Sequence, residues 1–212
     1  MNELEQFHYF QTPVYTIKKP EFLETIKSVS KEYLKKTPKH QDHSVYPLRQ
    51  TESFHSDIRL SEFSQFILDT SWNILGGQGY DMANHRTYFD SMWLQEHSKR
   101  SSMEYHNHGN CHIVGFYFVK VPEISPKVFL HDPRISKQMM ELPYKQTEDV
   151  FIATNMVNFT PVEGSFIFTN SWVAHSFSRN ATDKKFKFIH FNVTAYPYFQ
   201  QNTIEQPVAE II

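Results

Sequence analysis

Twelve histidines stand among 212 residues, and their grouping says more than their number. In the run Tyr105-His106-Asn107-His108-Gly109-Asn110-Cys111-His112, His106 and His108 are two apart. In extended backbone, residues i and i+2 point to the same face, so these two imidazoles can aim at one point. Alone, an H-x-H pair is a weak signal, because two surface histidines look the same. A second segment, Gly164-Ser165-Phe166-Ile167-Phe168-Thr169-Asn170-Ser171-Trp172-Val173-Ala174-His175, reads as a strand, a turn and a new strand that begins with histidine. In a closed β-fold, strands distant in sequence lie opposite one another, so His175 can complete a three-point facial metal site with the pair. Two histidines and one carboxylate suit non-haem iron(II). Three neutral imidazoles suit zinc with an open water position as well. His108 stands where a carboxylate ligand would be expected; Glu104 and Asp132 are the alternative carboxylates, at less natural spacings. His112 and His190 are further candidates, read first as buried, hydrogen-bonded histidines.

The elements that must carry these residues change character along the chain. Residues 12–17 read as a short edge strand, with Val14 and Ile17 β-branched and Pro13 suited to an edge. Pro20-Glu21 opens a helical pattern with Phe22, Ile26, Val29 and Tyr33 on one face, closed by Lys35 and Lys36. The polar stretch from Thr37 to Ser56 reads as loop with a short strand. A second amphipathic helix is expected from about Leu60 to Leu75, with Leu60, Phe63, Ile67 and Ile74 inward and Gly76-Gly77 ending it. From there, short segments rich in aromatic and β-branched residues follow at 86–97, 112–121, 127–131, 149–154, 156–160, 165–169, 173–178 and 186–195. Strands after two helices predict a mostly β fold, a jelly roll with the N-terminal helices on one outer face. No repeat or linker divides the chain, so 1–212 is expected to form one domain, with helical support over about 20–77 and a β core over about 84–196. Trp93 and Trp172 read as core.

Composition narrows the possible partners. Forty per cent of residues are hydrophobic and 16% aromatic, enough for a packed core and against disorder. Basic and acidic residues number 21 and 23, and such a balance gives no support for binding nucleic acid or an anionic membrane. One cysteine, Cys111, excludes an internal disulfide and fits a reducing compartment. The start MNELEQFHYF lacks a secretory pattern, and no apolar run reaches bilayer-spanning length. A cytoplasmic protein is expected. Oligomeric state leaves no mark.

The ordered set of motifs resembles the 2-oxoglutarate and iron(II)-dependent oxygenases of bacteria and phages, a group broadly related to prolyl hydroxylases. The resemblance rests on Trp93, His106-Asn107-His108, Gly115-Phe116-Tyr117, Leu130-His131-Asp132-Pro133-Arg134, Gly164, Ser171-Trp172, His175, Asn180 and Phe191-Asn192. It implies a double-stranded β-helix in which His106, His108 and His175 bind iron(II) and 2-oxoglutarate is cosubstrate with O2, ascorbate serving as reductant. It also implies a basic residue on the last long strand for the far carboxylate of 2-oxoglutarate. No Arg stands there. Lys185 is the first candidate and Lys187 the second, with Arg134 as a third. Strand parity counts against the lysines: if Asn192 faces inward, so do Phe186, Phe188 and His190, and both lysines face out unless a bulge intervenes. Tyr117 and Asn192 are candidate hydrogen-bond donors to the cosubstrate. The loop from Arg134 to Thr147 would form a rim or lid, and a peptide or protein side chain is the leading substrate. A metal-binding jelly roll without 2-oxoglutarate, such as a cupin-like dioxygenase, isomerase or zinc hydrolase, is the alternative.

Overall fold

The computed structural model describes residues 4–39, 48–140, 142–145 and 149–198. Among the described residues, ten strands form two antiparallel sheets. The strands are β1 (Val14–Lys18), β2 (Leu48–Gln50), β3 (His85–His97), β4 (Met103–His106), β5 (Ile113–Lys120), β6 (Val128–His131), β7 (Met156–Phe159), β8 (Ser165–Asn170), β9 (His175–Phe177) and β10 (Phe186–Pro197). The larger sheet runs β1-β8-β5-β10-β3-β2 and the smaller β4-β9-β6-β7. Neighbours far apart in sequence, such as β10 between β3 and β5, are the mark of a double-stranded β-helix.

Two helices, α1 (Leu23–Lys36) and α2 (Ser61–Gly77), follow the expected pattern. On α1 the buried positions are Ile26, Val29, Ser30 and Leu34, one helical stripe. A 3-10 turn with Pro20 in its first position leads into it. The helix α2 ends at Gly77, as the Gly76-Gly77 pair implies. Its reversal is made by Gly79, whose φ of 96° is open to glycine at little cost. The Gly79 and Tyr80 N–H groups donate back to the Gly76 and Leu75 carbonyls, which closes the last turn.

The large sheet has two buried faces. One packs on the helices: Ile26, Ile67 and Phe63 meet Tyr117, Val119, Phe166, Phe168, Ile189, Phe191 and Val193. The other faces the small sheet: Phe116, Phe118, Ile167, Phe186 and Phe188 meet Met103, Val128, Leu130 and Phe177. Alternate residues of β5, β8 and β10 thus go to different layers, as period two requires. Gly115 permits the closeness of these strands, since a Cβ there would collide with the Phe191 ring and sit 2.6 Å from the Ile167 carbonyl oxygen.

The expected strand at 149–154 does not form, and these residues make turns and coil instead. Asp132 accepts the ammonium of Lys137, which also donates to the Ala153 and Thr154 carbonyls and to Asn155. Those carbonyls point at one cation and are lost to a ladder. A strand missed at sequence level, β4, carries His106. Trp172 lies 44% exposed at a turn and is not core. The rim loop falls partly outside the described residues at 141 and 146–148. No helix is long and apolar enough to cross a membrane, among the described residues.

Candidate metal centre

Strand pairing brings the histidines together. In the small sheet β4 pairs with β9 so that His106 lies directly opposite His175, and Leu130 of β6 flanks His175 from the other side. His108 follows β4 by two residues, and its backbone N–H is held by the Ser171 carbonyl at 3.1 Å. From the facing sheet comes His190 of β10, opposite Trp93 and Phe116 on its neighbours. Ring centroids of His106 and His175 are 4.4 Å apart, of His106 and His108 5.2 Å, of His108 and His175 5.3 Å, and of His108 and His190 5.0 Å. One ring nitrogen from each of the four lies within 4.8 Å of those of the others.

Second partners set which nitrogen is free. His106 Nδ1 is 2.7 Å from the Glu104 carbonyl and His175 Nδ1 3.4 Å from that of Val173. A carbonyl only accepts, so the proton sits on Nδ1 in each and Nε2 is left as an electron-pair donor. His175 Nε2 and His108 Nε2 are buried without a hydrogen-bond partner, as are both ring nitrogens of His190. Burial depresses the His108 pKa to about 4 and that of His175 to about 3, with the neighbouring imidazoles adding to both. His190, fully enclosed, is pushed well below its ordinary value by the same causes. All three are therefore neutral at pH 7, the form that binds a metal. The carboxylates considered from sequence are elsewhere: Glu104 is exposed, and Asp132 is taken by Arg134 and Lys137.

Beneath the imidazoles lies an aromatic floor. Phe116 meets His175 at 5.1 Å and His190 at 4.7 Å. Behind it Phe177 and Phe188 stack at 4.6 Å and 3°, with Phe186 next to Phe188 at 5.3 Å. Such a wall excludes water and keeps the local dielectric low.

The family model described as "Putative 2OG-Fe(II) oxygenase" matches residues 91–192, the stretch that holds all four histidines. Over these 102 of the 212 residues the chain is similar to the 2-oxoglutarate and iron(II)-dependent oxygenases. The family's enzymes are oxidoreductases whose cofactors are iron(II) and 2-oxoglutarate. The fold of this chain is shared with a Pseudomonas putida prolyl-4-hydroxylase, at TM-score 0.57 and 6% identity over 85% of this chain and 92% of that one. It is shared as well with a viral collagen prolyl hydroxylase from Paramecium bursaria Chlorella virus-1, solved with 2-oxoglutarate (0.54, 10%, 85% and 94%). A third is HygX from Streptomyces hygroscopicus with nickel, 2-oxoglutarate and hygromycin B bound (0.54, 10%, 86% and 83%). No curated protein matches the sequence.

The metal half of that family's cofactor pair fits this chain, with orphaned imidazole nitrogens clustered in one space. The cosubstrate half fits poorly. Lys187 pairs with Glu96 at 2.7 Å on the face away from the histidines, beside Arg49, and Lys185 donates to Ser98. The parity argument decides this: Phe186 and Phe188 take the inward positions. Arg134 is bound to Asp132 inside its own turn at 2.8 Å. Tyr117 faces the helices, stacks near Phe63 and Phe166 and donates its hydroxyl to the Lys19 carbonyl. These four candidates are thus corrected: none reaches the histidine side. Asn192 does face inward, its Nδ2 donating to Ser91 Oγ at 3.2 Å and its Oδ1 buried without a partner. Among the described residues, the inward positions of β8 and of β10 from Phe186 to Asn192 carry no lysine or arginine, whereas Arg86 of β3 lies opposite Tyr196 and over the Tyr198 ring at 4.0 Å. His112 is outside the cluster and hydrogen-bonded to Thr194 and the Ala195 N–H. His190 was legible only through strand alternation, as the residue sharing a face with Asn192.

Proposed function

We propose that this chain, acting as one domain, is an iron(II)-dependent oxygenase in which His106, His108 and His175 hold the metal. The observation that carries the reading is the convergence of their ring nitrogens at the junction of β4 and β9. Iron(II) with 2-oxoglutarate supplies O2 activation coupled to decarboxylation of the keto acid to succinate and CO2, the chemistry by which this family hydroxylates. The chain's own groups do the rest. Carbonyls of Glu104 and Val173 fix the tautomers of His106 and His175, and the floor of Phe116, Phe177 and Phe188 keeps water away from the reacting face. Asn192 offers the one inward amide of those considered for the cosubstrate.

The substrate would be a peptide or protein side chain, or a small molecule. Relatives of both kinds share the fold, and exposed Met139, Met140, Leu142 and Tyr144 give the rim an apolar character that suits an amphiphilic ligand. A second reading, a metal-dependent jelly roll that does not use 2-oxoglutarate, is favoured by one observation: the three basic groups considered as anchors are all engaged elsewhere. Anaerobic addition of 2-oxoglutarate to the iron(II) form separates the two. A visible charge-transfer band, with succinate release by the wild type and none by His175→Ala, supports the first reading. Stoichiometric iron without either signal supports the second. Equal turnover in wild type and His175→Ala ends both.

A further inference from the structure

His190 differs from the other buried histidines in having no hydrogen-bond partner at either ring nitrogen while being 1% exposed. His97, equally enclosed, at least has Gln95 Oε1 at 3.3 Å from its Nε2. Trp93 stacks on its ring at 4.5 Å and 29°, and Phe116 lies at 4.7 Å. An imidazole kept dry and unpaired is costly, and its place in the core is explained if an ion completes it. Its centroid is 5.0 Å from that of His108 and 5.7 Å from that of His175. A shared ion at about 2.1 Å from each nitrogen places cis ligands about 3.0 Å apart and trans ligands about 4.2 Å. The four nitrogens lie within 4.8 Å of one another, so side-chain rotations that draw them together by about 0.6 Å for a trans pair, and by up to about 1.8 Å for a cis pair, complete the site.

We propose that His190 is a fourth protein ligand of the ion held by His106, His108 and His175. The inference rests on the three-histidine reading above and deepens it. Two histidines come from the edge pair β4 and β9, one from the loop after β4, and His190 from the opposite sheet, so the ion ties the two sheets of the barrel together. Four neutral imidazoles leave the ion's double charge intact.

The experiment counts imidazoles on the metal. Apo protein is loaded anaerobically with one equivalent of iron(II), and separately of zinc, and X-ray absorption at each metal edge gives the number of coordinated imidazoles. Four are expected in the wild type and three in His190→Leu, with metal affinity about tenfold lower or worse in the variant. Three in the wild type overturns the fourth ligand and keeps the three-histidine centre. The same count in wild type and variant overturns it too. A wild type that binds neither metal stoichiometrically overturns the underlying reading. If His190→Leu does not fold, His190→Gln takes its place, and the wild-type count decides by itself.

Discussion

The strand β10 serves two regions at once. Its odd positions Ile189, Phe191 and Val193 point to the helices and meet only apolar side chains. Its even positions are Phe186, Phe188, His190 and Asn192, and they point between the sheets. Of the buried side-chain atoms without a partner, those of Trp93, His97, His108, Thr169, His175, His190 and Asn192 belong to this second region. The helix-facing region is a mainly apolar core, with Ser71 Oγ of α2 as a buried polar atom without a partner. The region between the sheets holds desolvated polar groups whose energetic cost the apolar region must offset. The difference teaches that stability and chemistry are separated by one residue of register.

The largest expected effect tests that separation directly. His175→Ala should lower metal affinity by at least about 100-fold, by analogy with the loss of outer-shell partners alone. It should barely lower the unfolding free energy of the apo protein. Phe191→Ala should do the reverse, costing about 3–5 kcal/mol of stability with little change in metal stoichiometry. Paired chemical denaturation and metal analysis measure both, and a large apo-stability loss in His175→Ala breaks the comparison.

Gly115→Ala sharpens the packing side of it. The new methyl group has neither a flexible neighbour nor free space, being set against the Phe191 ring and the Ile167 carbonyl. A loss of about 3 kcal/mol in denaturant unfolding is expected. A neutral outcome would mean that the two strands part easily.

Acid should act on the polar region first. Burial holds the His97 pKa at about 4 against an ordinary 6.5. Between those values the unfolded chain binds the proton and the folded chain does not, so stability rises with pH through this window. It is therefore complete above about pH 6.5 and declines as pH falls toward 4. His97 alone accounts for on the order of 3 kcal/mol. Unfolding of apo protein at a series of pH values should show the decline, and His97→Gln should flatten it. An unchanged slope in the variant would assign the loss to the histidine cluster.

Smallest is Lys187→Met. The lysine lies on the outer face beside Glu96, which keeps Arg49 as a partner at 3.3 Å. A cost under about 1 kcal/mol is expected, with metal and 2-oxoglutarate titrations unchanged. Loss of a cosubstrate signal in this variant would return Lys187 to the site.

Much of this was legible in the sequence. Alternation placed β3, β5, β8 and β10, and helical spacing placed α1 and α2, because apolar periodicity follows from which face is buried. His106, His108 and His175 were found from local spacing and from one distant turn. The failures share a physical cause. Residues 149–154 have strand composition, yet Lys137 draws their carbonyls away. Tyr117 sits in a motif whose neighbours face the metal, yet its own parity sends it to the helices.

Residue order alone determined the strand alternation, and with it the choice of Phe186, Phe188 and His190 over the lysines for the interior. Sequence also marked His106, His108 and His175 as candidate ligands. Only tertiary structure decided that β4 and β9 pair His106 with His175, and that the opposite sheet delivers His190 to the same space. Cross-strand partners are set by the closure of the sheets, and closure depends on contacts between residues far apart in the chain.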